Sequence, residues 1–188
     1  MAVDMVGEPG VTASVAAPVT LRRLTAGDDL GPVADLMAGY IAEIGRNMLT
    51  LHEIDLRDIA PDPDLLVEIA GLLESPHAIY VAEIDGRPAG TGGLKQIGPD
   101  VGEIKRMYVD PAFRGRGTAR AIVERVVADA RAAGYRELRL ESAVWMAEAH
   151  ALYRSVGFVD GDDYPEREFG VFPSLAHLAR YMTLPLKP

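Results

Sequence analysis

A strand that leads through a glycine-rich loop directly into a long helix constrains this 188-residue chain more than any other feature. The segment 103–119 reads EIKRMYVDPAFRGRGTA, and its Asp-Pro pair ends the strand. The first turn of a helix leaves backbone N–H groups without partners at the positive end of the helix dipole, so an anion is favoured there. Gly115 and Gly117 would let an anion approach those N–H groups, and Arg114 and Arg116 add guanidinium groups suited to a diphosphate. The segment therefore predicts a phosphate-binding loop at the start of a helix.

The distribution of charge supports this prediction. The whole chain has a formal net charge of −9, from 28 acidic and 19 basic side chains. Residues 100–140 carry nine basic and six acidic side chains, a net charge of +3, which leaves −12 on the rest of the chain. The overall acidity argues against a protein that binds nucleic acid by charge alone, and it is compatible with a cationic or amine substrate.

Two common nucleotide-binding loops do not fit the segment. A P-loop needs Lys followed by Ser or Thr after its last glycine, whereas Gly117 is followed by Thr118 and Ala119. A dinucleotide-binding fingerprint would have Gly or Ala where Arg120 stands. The predicted phosphate site is therefore of neither kind.

Composition excludes several other classes of protein and site. The chain has no cysteine, which rules out disulfides, thiolate zinc sites, iron–sulfur clusters and thiol nucleophiles. No apolar run approaches the roughly 20 residues of a membrane helix, and His52, His77 and His177 lack metal-ligand spacing, so neither a membrane span nor a metal is predicted. Residues 1–18 predict a flexible tail before a single domain over 19–188. Because that tail lacks the basic residues of a signal or transit peptide, we expect a cytoplasmic protein.

Hydrophobic periodicity and turn residues predict the other elements. Strands are predicted at 19–24, 78–84, 87–97, 101–109, 136–142 and 181–184, with another beginning at 158. Helices are predicted at 30–44, 64–74, 116–133 and 147–156. Residues 46–60 predict a loop or a short broken helix, and residues 164–174 an irregular segment.

Two motifs, in this order along the chain, resemble those of a known family. Arg114-x-x-Gly117-x-Ala119 matches the pattern Arg/Gln-x-x-Gly-x-Gly/Ala at the start of a helix after a strand. Residues 149–158, AHALYRSVGF, match A-x-x-L-Y-x-x-x-G-F. Together with the order of elements over 19–184, they resemble the GNAT superfamily of acyl-CoA-dependent N-acetyltransferases.

The resemblance implies a mixed α/β fold of three layers. A mostly antiparallel sheet of six to seven strands would have helices on both faces and be splayed between its fourth strand, 101–109, and its fifth, 136–142. Acetyl-CoA would be the co-substrate, without a metal. The residues that the family pattern assigns to it are main-chain groups of Met107, Tyr108 and Val109 for the pantetheine arm, and Arg114, Gly115, Arg116, Gly117, Thr118 and Ala119 for the pyrophosphate.

The resemblance also implies two catalytic side chains. Glu103 stands eleven residues before Arg114, where several members of the family carry the base that takes the proton of the amine; alternatively, it is an exposed strand residue paired with Lys105 or Arg106. Tyr153 matches the usual donor to the departing thiolate; alternatively, it is a core tyrosine with a satisfied hydroxyl. A backbone N–H near Val109 would stabilise the oxyanion.

The acceptor site is expected from the first two helices, their connection and the late strands. This implicates Arg46, Asn47, His52, Glu53 and the segment that begins at Tyr164. The alternative is that these residues belong to solvated loops. Many members also carry Asn where this chain has Met146, and the difference removes one hydrogen bond to cofactor or substrate.

The predicted function is transfer of an acetyl group from acetyl-CoA to a primary amine of a small molecule or amino acid, within a ternary complex. Two alternatives stay open, an acyl-CoA-binding regulatory module without catalysis and an acetyltransferase acting on protein N-termini or lysines. The expected partner is a small-molecule amine, with no nucleic acid and no membrane. Dimers are common in the family, so the resemblance also allows a homodimer.

Overall fold

The computed structural model describes residues 17–58, 65–74, 76–165 and 173–186, so most of the predicted tail lies outside the described residues. The strands are β1 (Thr20–Arg23), β2 (Ala78–Ile84), β3 (Arg87–Gly98), β4 (Val101–Val109), β5 (Glu137–Ala143), β6 (Val159–Asp160) and β7 (Ala179–Pro185). The helices are α1 (Gly31–His52), α2 (Leu65–Ala70), α3 (Thr118–Ala132) and α4 (Ala147–Val156). Short 3₁₀ turns lie at Leu56–Asp58, Pro111–Phe113 and Pro173–Leu178.

The strands form a seven-stranded sheet in the order β1-β2-β3-β4-β5-β7-β6. β4 and β5 are parallel, and the other neighbouring pairs are antiparallel. α3 connects the parallel pair, as a crossover between parallel strands requires. The predicted mixed, mostly antiparallel sheet is confirmed.

Helices cover both faces of this sheet. Successive side chains of a strand point to opposite faces, and β2 shows the consequence. Tyr80 packs in the cluster that contains Ile122 of α3, whereas Ile79 and Val81 pack with Val33 of α1. This confirms the three predicted layers.

The tight turn between β2 and β3 follows from its two residues. Asp85 and Gly86 have φ of 52° and 70°, the left-handed pair that a two-residue hairpin turn needs. The turn fixes the register of the hairpin, in which Ile84 pairs with Arg87. Both strands lie close to their predicted bounds.

Helix α1 corrects the prediction for residues 46–60. The sequence predicts a helix that ends at Ile44, but the helix continues to His52, and its C-cap residue Glu53 has a left-handed φ of 58°. Ile44 and Met48 are buried four residues apart against Leu175 and Leu178, which lie far away in the sequence. Polar residues between them hid the continuing helical pattern.

Two other helices are shorter than predicted. α2 covers Leu65–Ala70, because the chain turns at Gly71 and Leu72 instead of continuing to 74. α3 begins at Thr118 rather than 116, because Gly117 is its N-cap and has φ of 82°. None of the helices among the described residues is long and apolar enough to cross a lipid bilayer.

Candidate active site and cofactor cleft

An opening in the sheet lies between β4 and β5. The two strands pair only over Val101–Ile104 of β4 and Glu137–Leu140 of β5. Beyond these residues β5 continues with β7, while the second half of β4 keeps only its pairing with β3. The sheet is therefore splayed at the predicted place, and β4 presents backbone groups along the opening.

A bulge in β4 marks the point where the strands separate. Arg106 has a left-handed φ of 56°, and the register places Arg106 and Met107 together opposite Gly92 of β3. A side chain at Gly92 would collide with Met107 and with Ile122 of α3. The bulge therefore depends on a glycine in the neighbouring strand.

A cleft of about 760 Å³ extends from this opening to the start of α3. Eight of the nine residues predicted to bind the cofactor line it, namely Met107, Tyr108, Val109, Arg114, Gly115, Gly117, Thr118 and Ala119. Arg116 is the exception, since its guanidinium lies 5.7 Å from the centre of the Phe113 ring outside the cleft lining. The far wall is formed by α1 and by the region around α4, including Ile44, Trp145 and Leu152.

The start of α3 has the properties of an anion site. Gly115 and Gly117 adopt φ of 75° and 82°, which side chains rarely adopt, and no side chain caps the helix. The Thr118 hydroxyl is buried and has no hydrogen-bond partner among the described residues. The uncapped N–H groups and this hydroxyl are donors available to a ligand oxygen.

Basic side chains surround this loop. Arg114 donates from Nη2 to Glu43 Oε2 at 2.6 Å and from Nε to the Val109 carbonyl at 3.1 Å. Arg120, which lines the cleft, donates to Ser155 Oγ at 2.8 Å. Glu43 and Arg120 were not predicted as site residues. Arg120 could have been found, because it lies only three residues after Gly117.

Tyr153 stands where two cavities meet. It lines the large cleft and also a smaller cavity of about 50 Å³ in the gap between β4 and β5. Its side chain is buried, with the Phe158 ring centre 5.7 Å away, and Gly157 ends α4 just before that phenylalanine. Burial raises the pKa of the Tyr153 phenol well above its usual value, so this group stays protonated.

Glu103 lines the smaller cavity and is fully buried. Its Oε1 accepts a hydrogen bond from the Tyr164 hydroxyl at 2.6 Å and lies 3.0 Å from Lys105 Nζ. The alternative from the sequence was an exposed strand residue paired with Lys105 or Arg106. Glu103 does pair with Lys105, but it is buried rather than exposed. Arg106 instead pairs with Glu68 of α2 at 2.8 Å.

A family model described as the acetyltransferase (GNAT) family matches residues 46–158. The chain belongs to this family. An IAA acetyltransferase of Azospirillum brasilense is 34% identical over 130 residues, which cover 69% of this chain and 80% of that protein. An uncharacterized N-acetyltransferase of Escherichia coli K12, YjgM, is 33% identical over 142 residues, which cover 73% of this chain and 80% of that protein.

Solved structures of GNAT proteins share the fold. A GNAT family acetyltransferase from Elizabethkingia anophelis with acetyl-CoA bound superposes with a TM-score of 0.60 at 19% identity, covering 89% of this chain and 98% of that chain. Membership of the GNAT family makes this protein an acetyl-CoA-dependent N-acetyltransferase. The resemblance drawn from the two sequence motifs is thereby confirmed.

The residues of the cleft fit coenzyme A. The diphosphate needs fixed N–H donors and positive charge, which the start of α3, the Thr118 hydroxyl and Arg120 supply. A pantetheine arm carries amide groups, and the opened edge of β4 offers backbone partners for them. Among the described residues, no cluster of histidines and carboxylates is arranged to hold a metal ion.

The structure separates the residues predicted for the acceptor site. Asn47 lines the large cleft, whereas Arg46 is exposed and Glu53 is exposed at the end of α1. His52 packs on Trp145, with ring centres 5.1 Å apart. Tyr164 reaches Glu103, and the following residues, 166–172, lie outside the described part of the chain.

Proposed function

We propose that this GNAT protein transfers the acetyl group of acetyl-CoA directly to a primary amine of a small molecule or amino acid. The observation that carries this proposal is the position of Tyr153, which lines both the cofactor cleft and the cavity of Glu103. A donor to the leaving sulfur and an acceptor for the proton of the amine therefore meet at one place. Direct transfer needs this arrangement, because both substrates must be bound together.

Glu103 is the proposed acceptor for the proton of the substrate. An alkylamine has a pKa of about 10, so it arrives as an ammonium group and must lose a proton before it can attack. The Tyr164 hydroxyl donates to Glu103 Oε1, and Lys105 Nζ lies 3.0 Å from the same oxygen, so both groups position the carboxylate at the cavity. Water in the cavity would connect the carboxylate with the amine.

Tyr153 is the proposed donor to the leaving group. Acetyl-CoA supplies an acetyl group activated as a thioester. As the bond from nitrogen to the acetyl carbon forms, the carbon–sulfur bond breaks, its electron pair stays on sulfur, and Tyr153 donates the proton that sulfur needs. Because burial raises the pKa of Tyr153, the phenol is protonated whenever the amine is ready to react.

The backbone of β4 is the proposed site for the developing oxyanion. Backbone N–H groups are fixed before the reaction, which makes them effective donors to a charge that appears only in the transition state. On the side away from β3, the second half of β4, which ends at Val109, faces the opening. This contribution cannot be removed by exchanging side chains.

The small cavity supports a slim primary amine as the acceptor. Its volume of about 50 Å³ accommodates only a few water-sized groups. The described walls include Tyr40 and Ile44 of α1 and Leu140 of β5, which leave room for an amino group on a narrow chain. The net charge of −9 on the chain also favours cationic acceptors.

A thiol-release assay tests the proposal. Acetyl-CoA is mixed with a panel of amines, amino acids and peptides, and free coenzyme A and acetylated product are measured for each. We expect one class of small amine to give both products in equal amounts. Release only with peptides would assign the acceptor to proteins, and coenzyme A binding without release for any acceptor would indicate a regulatory module; either result overturns the proposal.

A further inference from the structure

Ser142 and His150 form a buried pair beside the small cavity that the steps above do not use. Ser142, near the end of β5, lines the same cavity as Glu103. Behind it, His150 of α4 is only 3% exposed, and its Nε2 lies 3.2 Å from Ser142 Oγ. His150 is not part of the lining of the cavity, so it can act on a ligand there only through Ser142.

The surroundings of His150 keep its ring neutral. Burial is the largest influence and lowers the pKa of His150. Arg180 of β7 and Arg154 of α4 lower it further, while Asp160 of β6 opposes them. At neutral pH the ring therefore has one nitrogen free to accept a proton.

The contacts of the His150 ring define the tautomer that a relay requires. The backbone of Ala143 interacts with the ring, and Nε2 lies 3.2 Å from Ser142 Oγ. Ser142 Oγ also lies 3.5 Å from Met146 Sδ, which is a much weaker acceptor than a ring nitrogen. A relay requires the tautomer with its proton on Nδ1, which leaves Nε2 to accept from the Ser142 hydroxyl.

Ser142 and Glu103 reach the cavity from opposite faces of the sheet. Leu138 and Leu140, which share a face of β5 with Ser142, belong to the core cluster under α3. On β4, Ile104 belongs to that cluster, so its neighbour Glu103 points to the other face. The cavity therefore has Glu103, together with Glu141 of β5, on one side and Ser142 on the other.

We propose that Ser142 and His150 form a proton relay for the second proton that leaves the acceptor nitrogen. The inference rests on the proposed acetylation of an amine. Of the three protons of an alkylammonium group, one remains in the amide, so two must leave. Glu103 takes the first, and Ser142 Oγ takes the second as the nitrogen–carbon bond forms, while passing its own proton to His150 Nε2.

The relay also restores the starting state. Sulfur receives the proton of Tyr153, and Tyr153 lines the same cavity as Ser142. The proton held by His150 returns through Ser142 to Tyr153 before the next turnover. Only the proton on Glu103 passes to solvent, which balances the conversion of an ammonium group into an amide and a free thiol.

Kinetics of Ser142→Ala and His150→Gln test the relay. We expect each substitution to lower kcat about 100-fold without changing KM for acetyl-CoA, since a general base contributes at least this much. The double variant should be no slower than either single variant, because the two groups act as a unit. The matched controls Ser174→Ala and His177→Gln change exposed residues and should leave kcat unchanged.

The pH profile separates the relay from a merely structural role. As pH falls through the lowered pKa of His150, the ring protonates and can no longer accept, so the kcat of the wild type should fall with it. His150→Gln should lose this acidic limb while keeping the stability needed for the assay. A slower His150→Gln enzyme with the acidic limb unchanged would overturn the relay.

Nitrogen-15 NMR of the histidine ring gives a test that needs no turnover and no substitution at His150. We expect Nε2 to be unprotonated at pH 7 and its shift to move in Ser142→Ala. A proton on Nε2 would overturn the relay even in an enzyme that acetylates amines. An enzyme that releases no coenzyme A with any amine would overturn the proposed function and the relay with it.

Discussion

The Tyr164 hydroxyl donates a hydrogen bond of 2.6 Å to Glu103 Oε1, joining two residues 61 positions apart. The carboxylate is fully buried, and Lys105 Nζ lies 3.0 Å from the same oxygen. The segment after β6 therefore orients the proposed base on β4. Arg139 of β5 contacts Tyr164 as well, with its guanidinium over the ring, 5.4 Å from the ring centre.

Tyr164→Phe should destabilise the protein by about 1.5–3 kcal/mol, because a hydrogen bond to a buried charged group is lost. Urea denaturation at pH 7 measures the change. The matched control is Tyr135→Phe, since the Tyr135 hydroxyl is buried without a partner among the described residues and its removal should not destabilise. Equal stability of Tyr164→Phe and wild type would show that the hydrogen bond contributes nothing.

Glu103→Gln should lower kcat about 100-fold, since it removes the proposed proton acceptor. Steady-state kinetics with the best amine measure the effect, and calorimetric titration with coenzyme A should show unchanged affinity. Glu74→Gln, at an exposed turn, is the control. Because Gln leaves Lys105 without its partner carboxylate, Glu103→Asp provides a second variant that keeps the charge.

One kinetic result would contradict the assignment of Glu103 as the base. If turnover by folded Glu103→Gln equals that of the wild type across pH, the proposed base is wrong. The kcat of Glu103→Asp should lie between those of Glu103→Gln and the wild type, because the aspartate side chain is one methylene shorter.

Tyr153→Phe should lower kcat by about 100-fold, because it removes the proposed proton donor to sulfur, while KM for acetyl-CoA changes little. Since burial raises the pKa of Tyr153, activity of the wild type should show no loss from phenol ionisation near pH 10. A rate profile from pH 7 to 10.5 checks both points. An unchanged kcat in Tyr153→Phe would assign the tyrosine to the core instead.

Gly117→Ala should weaken binding of acetyl-CoA and destabilise the fold by roughly 1 kcal/mol, because alanine disfavours a left-handed φ of 82°. Gly45→Ala is the control inside α1, where a methyl group meets nothing within 4 Å. That substitution should stabilise the protein by about 0.5–1 kcal/mol. Thermal unfolding and acetyl-CoA titration of both variants measure the difference. Equal stability and equal cofactor affinity of the two variants would show that the loop does not need glycine at position 117.

Added salt should slow the enzyme more with cationic amines than with neutral ones. The −9 chain attracts cations at long range, and about 0.1 M salt screens charges over roughly 10 Å. Comparison of kcat/KM for a diamine and a neutral amine between low and high salt tests this. Equal salt dependence would remove charge as an element of acceptor choice.

The parts of the fold with local signals could be predicted from the sequence. β2, β4 and α4 have the bounds expected from their apolar patterns and turn residues. The phosphate loop could be predicted because glycine and arginine spacing at a helix start has a direct physical meaning. Five of its six predicted contact residues, all except Arg116, line the cleft.

The other parts depend on contacts between distant segments. The last two turns of α1 are stabilised by burial of Ile44 and Met48 against Leu175 and Leu178, which no local pattern shows. The hydrogen bond from Tyr164 to Glu103 also joins segments that are far apart in the sequence. The position of Arg116 in the sequence predicts a contact with the diphosphate, but its side chain lies on the Phe113 ring.

Single-turnover analysis tests the central claim most directly. Enzyme, acetyl-CoA and the best amine are mixed, quenched at short times, and examined by mass spectrometry for free coenzyme A, acetylated amine and acetylated enzyme. Direct transfer at the junction of the two cavities predicts coenzyme A and acetylated amine at equal rates, with unmodified enzyme throughout. Acetylated enzyme that forms before the amine product, or coenzyme A that is bound but never released, would contradict the account.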